Sequence, residues 1–339
     1  MKALYSIIIG VLIWLAAIAT AFAAVANYEF STLDVPIPGQ PNRFAFPTDI
    51  NDDGTILTNT TINNLAEALI VQPKPRSNTK FKSTLFSCTG IPFADTVAFS
   101  INGKGQVAGY CSDTPSAPSK QYGFVRDRNG NYMLLDFPGA DGTGAFGISD
   151  DGKVTGQFYG PLRNDHGGAL SYRFHCFIWD NKSQTYTQLD YPVENTYVSC
   201  FSINKRGQVL GEYITVDLDN NYLEHGFFIY ENGEFSVPFP LSHDFEGGPS
   251  TYPSDMNNDG TVVGLVSPND GTGNRLFLYD DGKFYDIPLP TGWILTDTGG
   301  MNNGGQFVGQ YAVQVGIDPF FGWPIFQHHG FVATPAASK

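Results

Sequence analysis

Apolar and polar residues alternate in short runs along most of this chain, and Gly, Asn and Asp punctuate them, which predicts short half-buried strands joined by tight turns. The runs recur in a fixed order. One hexamer appears in six versions: Asp49-Ile50-Asn51-Asp52-Asp53-Gly54, Ser100-Ile101-Asn102-Gly103-Lys104-Gly105, Gly147-Ile148-Ser149-Asp150-Asp151-Gly152, Ser202-Ile203-Asn204-Lys205-Arg206-Gly207, Asp255-Met256-Asn257-Asn258-Asp259-Gly260 and Gly300-Met301-Asn302-Asn303-Gly304-Gly305. The period is about 50 residues, within the range of propeller blades. Four residues after each hexamer comes Gly109, Gly156, Gly211, Gly264 or Gly309, with Thr58 in the first copy, and the residues between form a second strand-like run.

A third run follows at variable distance: Tyr122-Gly123-Phe124, His175-Cys176-Phe177, His225-Gly226-Phe227, Arg275-Leu276-Phe277 and His329-Gly330-Phe331, with a degenerate copy near Ala66–Val71. Asn129-Gly130, Asn232-Gly233 and Asp281-Gly282 then supply the residues that a tight hairpin with positive φ requires. A fourth run, such as Tyr186-Thr187-Gln188-Leu189-Asp190, closes each unit. We label the four strands A to D. The last unit ends at His329–Ala333 without a D strand, and Tyr28-Glu29-Phe30-Ser31-Thr32-Leu33-Asp34 has the form of the missing one. The expected fold is therefore all-β: a six-bladed β-propeller of four-stranded blades, with the N-terminal strand completing the last blade and leaving no open edge.

These units resemble the HAF-type extracellular repeat of bacterial exported proteins, through His225-Gly226-Phe227 and His329-Gly330-Phe331 beside the Ile-Asn-x-x-Gly-x-x-x-Gly core. The resemblance covers the chain beyond the leader, and the first unit departs from it at Thr58 and around Ala66. It implies an exported propeller and carries no established activity or functional residue.

Met1-Lys2 precedes 24 uncharged residues, Ala3 to Ala26, and small-residue exits stand at Ala21-Phe22-Ala23 and Ala24-Val25-Ala26. This pattern predicts a signal peptide over 1–26, a single propeller domain over 27–335 and a short tail over 336–339, with the protein secreted or periplasmic. An uncleaved anchor is the alternative, since the run is long enough to span a bilayer; after cleavage no span remains. Four cysteines, Cys88, Cys111, Cys176 and Cys200, lie beyond the leader, and an even count in an exported chain points to disulfides. Neighbouring strand ends predict Cys88–Cys111, and Cys176–Cys200 as a second bond linking adjacent blades.

Composition narrows the function classes. The formal charge is 19 − 33 = −14, without a segregated basic face, so nucleic acid is excluded as a partner. Aromatics at 14% and apolar residues at 42% exclude a disordered chain. No G-x-S-x-G, H-E-x-x-H or phosphate-binding loop occurs. A two-carboxylate glycosidase needs only a separation and no motif.

The connections point to one face. A-to-B turns are short, whereas the B-to-C segments Pro115–Gln121, Gly160–Arg173, Thr215–Glu224 and Val313–His328, and the D-to-A segments Pro238–Ser250 and Pro288–Leu295, are long and emerge together. Long connections on a rigid scaffold are where binding normally resides. The D-to-A segments offer Asp95, Asp141, Glu194, Glu246 and Asp297, a ring of carboxylates suited to Ca2+, although the acidic composition alone supplies about one acid per such loop. Tyr197, Tyr252, Trp293 and Trp323 share that face and suit stacking on a sugar or peptide as well as loop packing. Asp49 and Asp255, beside the turns, read as caps on turn amides. The expected function is a monomeric binding module for an extracellular glycan, peptide or surface protein. A glycan hydrolase using acids of the same face, with Glu194 and Glu246 as candidates, and a structural surface protein are the alternatives.

Overall fold

The computed structural model describes residues 24–37, 40–73, 81–88, 94–113, 120–160, 173–192, 196–216, 222–236, 250–268 and 271–336. The structure is all-β and propeller-like, with no helix among the described residues. Thr196–Ile203, Val209–Val216, Tyr222–Glu231 and Glu234–Ser236 give the plan, an antiparallel meander of strands A to D. Gln40–Ile50, Ile56–Ile62, Leu65–Pro73 and Phe81–Phe86 repeat it, with Val35–Ile37 added beside the first strand. Ser250–Met256, Val262–Ser267, Arg275–Asp280 and Lys283–Ile287 repeat it again, and Ala24–Val25 joins the last strand in parallel. Two further meanders, one running from Ala94–Ile101 to Tyr132–Leu135 and the other from Gly142–Ile148 to Thr185–Leu189, share one eight-stranded sheet through the parallel pair Gln121–Gly142. In the last sheet, Ile294–Met301, Phe307–Ile317 and Pro324–Pro335 are completed by Tyr28–Leu33, which runs antiparallel to Pro324–Pro335 from Tyr28 opposite Pro335 to Leu33 opposite Gly330.

The hexamer forms each A-to-B turn by a repeated hydrogen-bond economy. In Asn102 the side-chain oxygen accepts the Lys104 and Gln106 N–H groups, while its amide nitrogen donates to the Ser149 carbonyl of the next meander. Asn51 reaches the Asn102 carbonyl, Asn204 that of Asn257, and Asn302 that of Asn51, at 3.1, 3.1 and 3.2 Å. One amide thus caps its own turn and ties it to a neighbour. Ser149 is too short to do both; its hydroxyl caps its turn through Lys153. The terminal glycines are required for backbone conformation, with φ between 72° at Gly105 and 91° at Gly260.

Strand A carries a bulge in every meander, and the bulge explains the second glycine of the repeat. The register shifts at Thr48, Phe99, Phe146, Phe201, Ser254 and Gly299-Gly300. Two residues earlier, the carbonyls of Val97, Gly144, Ser199, Tyr252 and Asp297 stand where a Cβ would project from Gly109, Gly156, Gly211, Gly264 and Gly309. On the far side these glycines pair with Phe124, Phe177, Phe228, Phe277 and Phe331 of strand C, all fully buried. The first meander departs at both places together: Thr58 pairs with Leu69, so a smaller strand C residue leaves room for a side chain on strand B.

Buried apolar residues collect between successive meanders. Leu57, Ala68 and Phe86 meet Ala98, Ile101 and Phe124 across one seam; Val308 of the last sheet meets Ile50, Ile56 and Leu69 of the first. A repeated clamp stands at the outer end of these seams. Phe137 stacks on Phe158, Tyr191 on Tyr213 and Trp293 on Tyr311, with centroids 3.6, 4.7 and 3.4 Å apart. In each pair a residue following strand D lies flat on the strand B residue two past the second glycine of the next meander. Cys88 and Cys111 occupy those two positions at the first junction and form a disulfide with Cα atoms 6.3 Å apart. The covalent bond replaces a ring stack. Cys176–Cys200 is the second disulfide, Cα atoms 5.7 Å apart, and joins strand C of one meander to strand A of the next.

Several turns differ from expectation. Asn232-Gly233 and Asp281-Gly282 have positive φ at both residues, as the sequence predicts, but Asn129-Gly130 has it only at Gly130, because Asp127 caps Asn129 and Asn131 in a longer turn. The first B-to-C connection is the two-residue turn Asn63-Asn64, φ 51° and 65°. Val313–His328, expected as a loop, instead prolongs two strands into a ribbon.

Three variants test this packing. Gly264→Ala places a Cβ against the Tyr252 carbonyl and 2.7 Å from the Phe277 ring, and is expected to cost about 3 kcal/mol in urea unfolding. Replacing Cys88 and Cys111 by Ala is expected to cost a similar amount, ~3 kcal/mol for a loop of this length. Cys88→Phe with Cys111→Tyr, which installs the ring pair of the neighbouring junctions, should recover part of it.

Candidate functional site

The bulges bring one extra residue from each strand A to the axis, where the strands converge. Thr48, Phe99, Phe146, Phe201, Ser254 and Gly299 line a central cavity of about 460 Å³, with Gln157, Gln310, Ser199, Tyr252 and Asp297 completing its wall. Phe99 and Phe146 meet edge to face at 4.6 Å. Among the described residues the cavity lining contains no Lys, Arg or His.

Asp49, Ser100, Asp255 and Gly300 form the floor. The Asp49 carboxylate accepts the Ile50 and Ile101 N–H groups, both at 2.7 Å, and so joins the first two meanders. Asp255 does the same for Met256 and Met301, at 2.8 and 2.6 Å, joining the last two. The Ser100 and Ser202 hydroxyls add a bond to Asp49 and Asp255 respectively. These acids cap strand amides of adjacent meanders, not the turn amides expected from sequence. Gly300 lies between them in chain order around the floor, and Asp49 fills the space that a Cβ there would need. Burial, reinforced by the charge of Asp255, holds the Asp49 carboxyl well above its usual 3.8; burial also raises Asp255 and Asp297.

Below the floor, the hexamer turns surround a narrow polar pit of about 60 Å³. There the Gly103, Lys205, Asn258 and Asn303 N–H groups donate to Asp150, Asn258, Asn303 and Asp52 of the following turns. The oxygen atoms in this pit are therefore engaged in holding turns together. The cavity lies on the other side of the floor, toward the ends of strand A where the D-to-A connections enter.

Of the expected carboxylates, Asp297 lines the cavity. Asp95 accepts the Ala66 N–H at 2.7 Å, and Asp141 is exposed outside the cavity lining. Glu194 and Glu246 lie outside the described residues. Among the described residues no group of three His, Cys, Asp or Glu side chains gathers as a metal site. Tyr252 lines the cavity, 41% exposed. Tyr197 is partly buried on strand A, and Trp293 is committed to its stack on Tyr311. Trp323 stands away from the cavity, at the end of the ribbon. His175 and His329 each pair with the Asp that ends an adjacent strand D, Asp190 at 3.3 Å and Asp34 at 2.9 Å, and stack on Phe158 and Tyr311. They belong to the outer clamps. The sequence does not single out Phe99, Phe146 and Phe201 as cavity residues; their shared place two before the hexamer Ile is the signal that marks them.

A family model described as a protein of unknown function (DUF3466) matches residues 143–287, fewer than half of the chain. No curated protein matches it. Among solved structures the chain is similar to an acylaminoacyl peptidase of Pyrococcus horikoshii, with 12% identity and a TM-score of 0.48, over 79% of this chain and 43% of that one. The chain therefore spans under half the length of that peptidase. It is also similar to an ulvan lyase, 11% identical with a TM-score of 0.44 over 87% and 80% of the two chains. A gluconolactonase from Xanthomonas campestris is 11% identical, with a TM-score of 0.43 over 94% and 93%. No residue role passes from these proteins to this one.

The floor acids generate a pH signature. A carboxyl raised above 3.8 on folding binds protons more tightly in the folded state, so its contribution to stability falls as pH rises through the interval between the two values. Asp255→Asn removes one of these carboxyls and the like charge facing Asp49, at a pH-independent cost in hydrogen bonding. The thermal midpoint of the wild type should decline relative to the variant as pH rises from 3.8; parallel curves would remove the coupling between these acids.

Proposed function

We propose that the protein is an exported six-bladed β-propeller whose central cavity binds a neutral, polyhydroxylated extracellular ligand, a glycan in the first instance. The blade count takes the eight-stranded sheet as two blades joined by one bridge, and six separate apolar clusters between meanders support it. The charge-poor leader, the two disulfides and the HAF-like runs support export.

The observation that carries the ligand class is the cavity wall. Phe99, Phe146, Phe201 and Tyr252 offer ring faces and edges, Gln157, Gln310 and Ser199 offer paired donors and acceptors, and Asp297 offers a strong acceptor. That mixture suits a sugar ring, which has apolar faces and a hydroxyl rim. Among the described residues the lining holds three carboxyls and no Lys, Arg or His to pair with an anion, which favours a neutral ligand over an anionic polysaccharide.

An array of neutral oligosaccharides followed by calorimetry tests this. Tyr252→Ala and Asp297→Asn are each expected to weaken the best array ligand about tenfold or more, the loss of one stacking or charged hydrogen-bonding contact. Failure of every neutral glycan to bind would sink the reading. Release of reducing sugar by the wild type, lost in Asp297→Asn, would convert it into the hydrolase alternative, for which a carboxyl raised by burial is a suitable proton donor.

A further inference from the structure

In the last sheet, Phe307–Ile317 and Pro324–Pro335 continue past their neighbours as a free two-stranded ribbon, with Gln314 opposite Phe326, Gly316 opposite Ile325 and Ile317 opposite Pro324. The ribbon's own hydrogen bonds fix its end. Asp318 N–H donates to the Trp323 carbonyl at 2.7 Å, Gly322 N–H donates to the Asp318 carbonyl at 2.9 Å, and Gly322 takes φ 70°. The Asp318 carboxylate accepts the Phe320 and Phe321 N–H groups at 2.8 and 2.9 Å. This built turn presents Phe320, Phe321 and Trp323 to solvent, 89%, 71% and 70% exposed.

Three features decide what such an end fits. First, apolar side chains occupy both faces: Ile317 and Ile325 belong to adjacent register pairs, which point to opposite sides, and both are exposed, at 63% and 44%. A protein surface docked on a ribbon covers one face, whereas this ribbon needs an environment that surrounds it. Second, Asp318 is the one charged residue from Val313 to Gln327, and its carboxylate is already occupied by two amides. The tip therefore carries one carboxylate, already bonded within its own turn, and no cation for an ion pair. Third, Trp favours the headgroup level of a bilayer, and Phe beside it suits the headgroup/acyl boundary. We propose that this tip inserts into the interface of a zwitterionic membrane and attaches the protein peripherally. The net charge of −14 sets the lipid preference, since an anionic surface would repel the remainder of the molecule. Because the ribbon is a B-to-C connection, it emerges on the side toward which the cavity lies, so an inserted tip turns the cavity toward the lipid surface.

The test uses the purified exported chain and phosphatidylcholine vesicles. Trp179 is buried and Trp293 is stacked on Tyr311, so Trp323 dominates any change in fluorescence. Co-flotation with a blue shift in emission is expected, and replacing part of the lipid by phosphatidylglycerol at low salt should weaken it. Phe320→Ser with Trp323→Ser should lower partition at least about tenfold, given the apolar area of two rings. Both side chains are exposed and the turn is held by backbone and Asp318, so far-ultraviolet dichroism and the thermal midpoint should stay unchanged. Absence of flotation overturns the proposal. So does flotation that persists in the double variant, which would place attachment elsewhere, or a vesicle-free dimer in sedimentation that the variant loses, which would assign the tip to a second copy.

Discussion

A carbonyl oxygen pressed against a strand that has no side chain is the contact on which this architecture turns. The bulge in strand A displaces its backbone toward strand B, and in five of the six meanders a glycine there receives it. The vacated space on the other side is filled by a strand C phenylalanine, which supplies the largest buried side chains of the core. The same bulge rotates one residue to the axis and creates the cavity wall. Core packing and the candidate site are therefore two outcomes of one backbone irregularity. The Thr58–Leu69 pair shows that the constraint concerns the volume shared by two strands and not glycine as such.

Junctions between meanders solve one geometric problem with different chemistry. A flat aromatic pair closes three of them and a disulfide occupies the equivalent positions in another. Histidine and aspartate extend the clamp where strand C begins with His175 or His329. On the opposite rim, asparagine amides do the joining through single hydrogen bonds. Ring area thus closes the junctions on the rim where strand D ends, and polar geometry closes them at the A-to-B turns.

The repeat, its strand order, the completing N-terminal strand and the cysteine pairs were legible in the sequence because each leaves a mark at a fixed position. Glycine spacing, turn dipeptides and the unpaired Tyr28–Leu33 run are local signals. The bulge was not legible, because an extra residue in a strand changes no composition and merely shifts the side-chain alternation. Phe99, Phe146 and Phe201 consequently read as ordinary strand residues, and Asp49 and Asp255 as caps of a turn one residue too far along. The ring of loop acids rested on composition, and of its described members Asp297 alone faces the cavity. The ribbon reads as a loop in sequence for a related reason: Gly316, Pro319, Gly322 and Pro324 are typical loop residues, yet they cluster at a bulge and a tip.

Tyr28–Leu33 and Pro324–Pro335 stand at opposite ends of the chain and meet as neighbouring strands, with Thr32 bonded to Tyr311 and Asp34 to His329. This gives the molecule a temporal property. Meanders formed from contiguous residues can assemble as the chain emerges, but the final sheet has to wait until the last residues are available, and its closure spans nearly the whole sequence. Until then the terminal strand B and C pair presents an unpaired edge and the N-terminal strand lacks a partner. A truncation of a dozen C-terminal residues should thus do more than remove a strand, because it would leave two complementary edges able to pair between molecules.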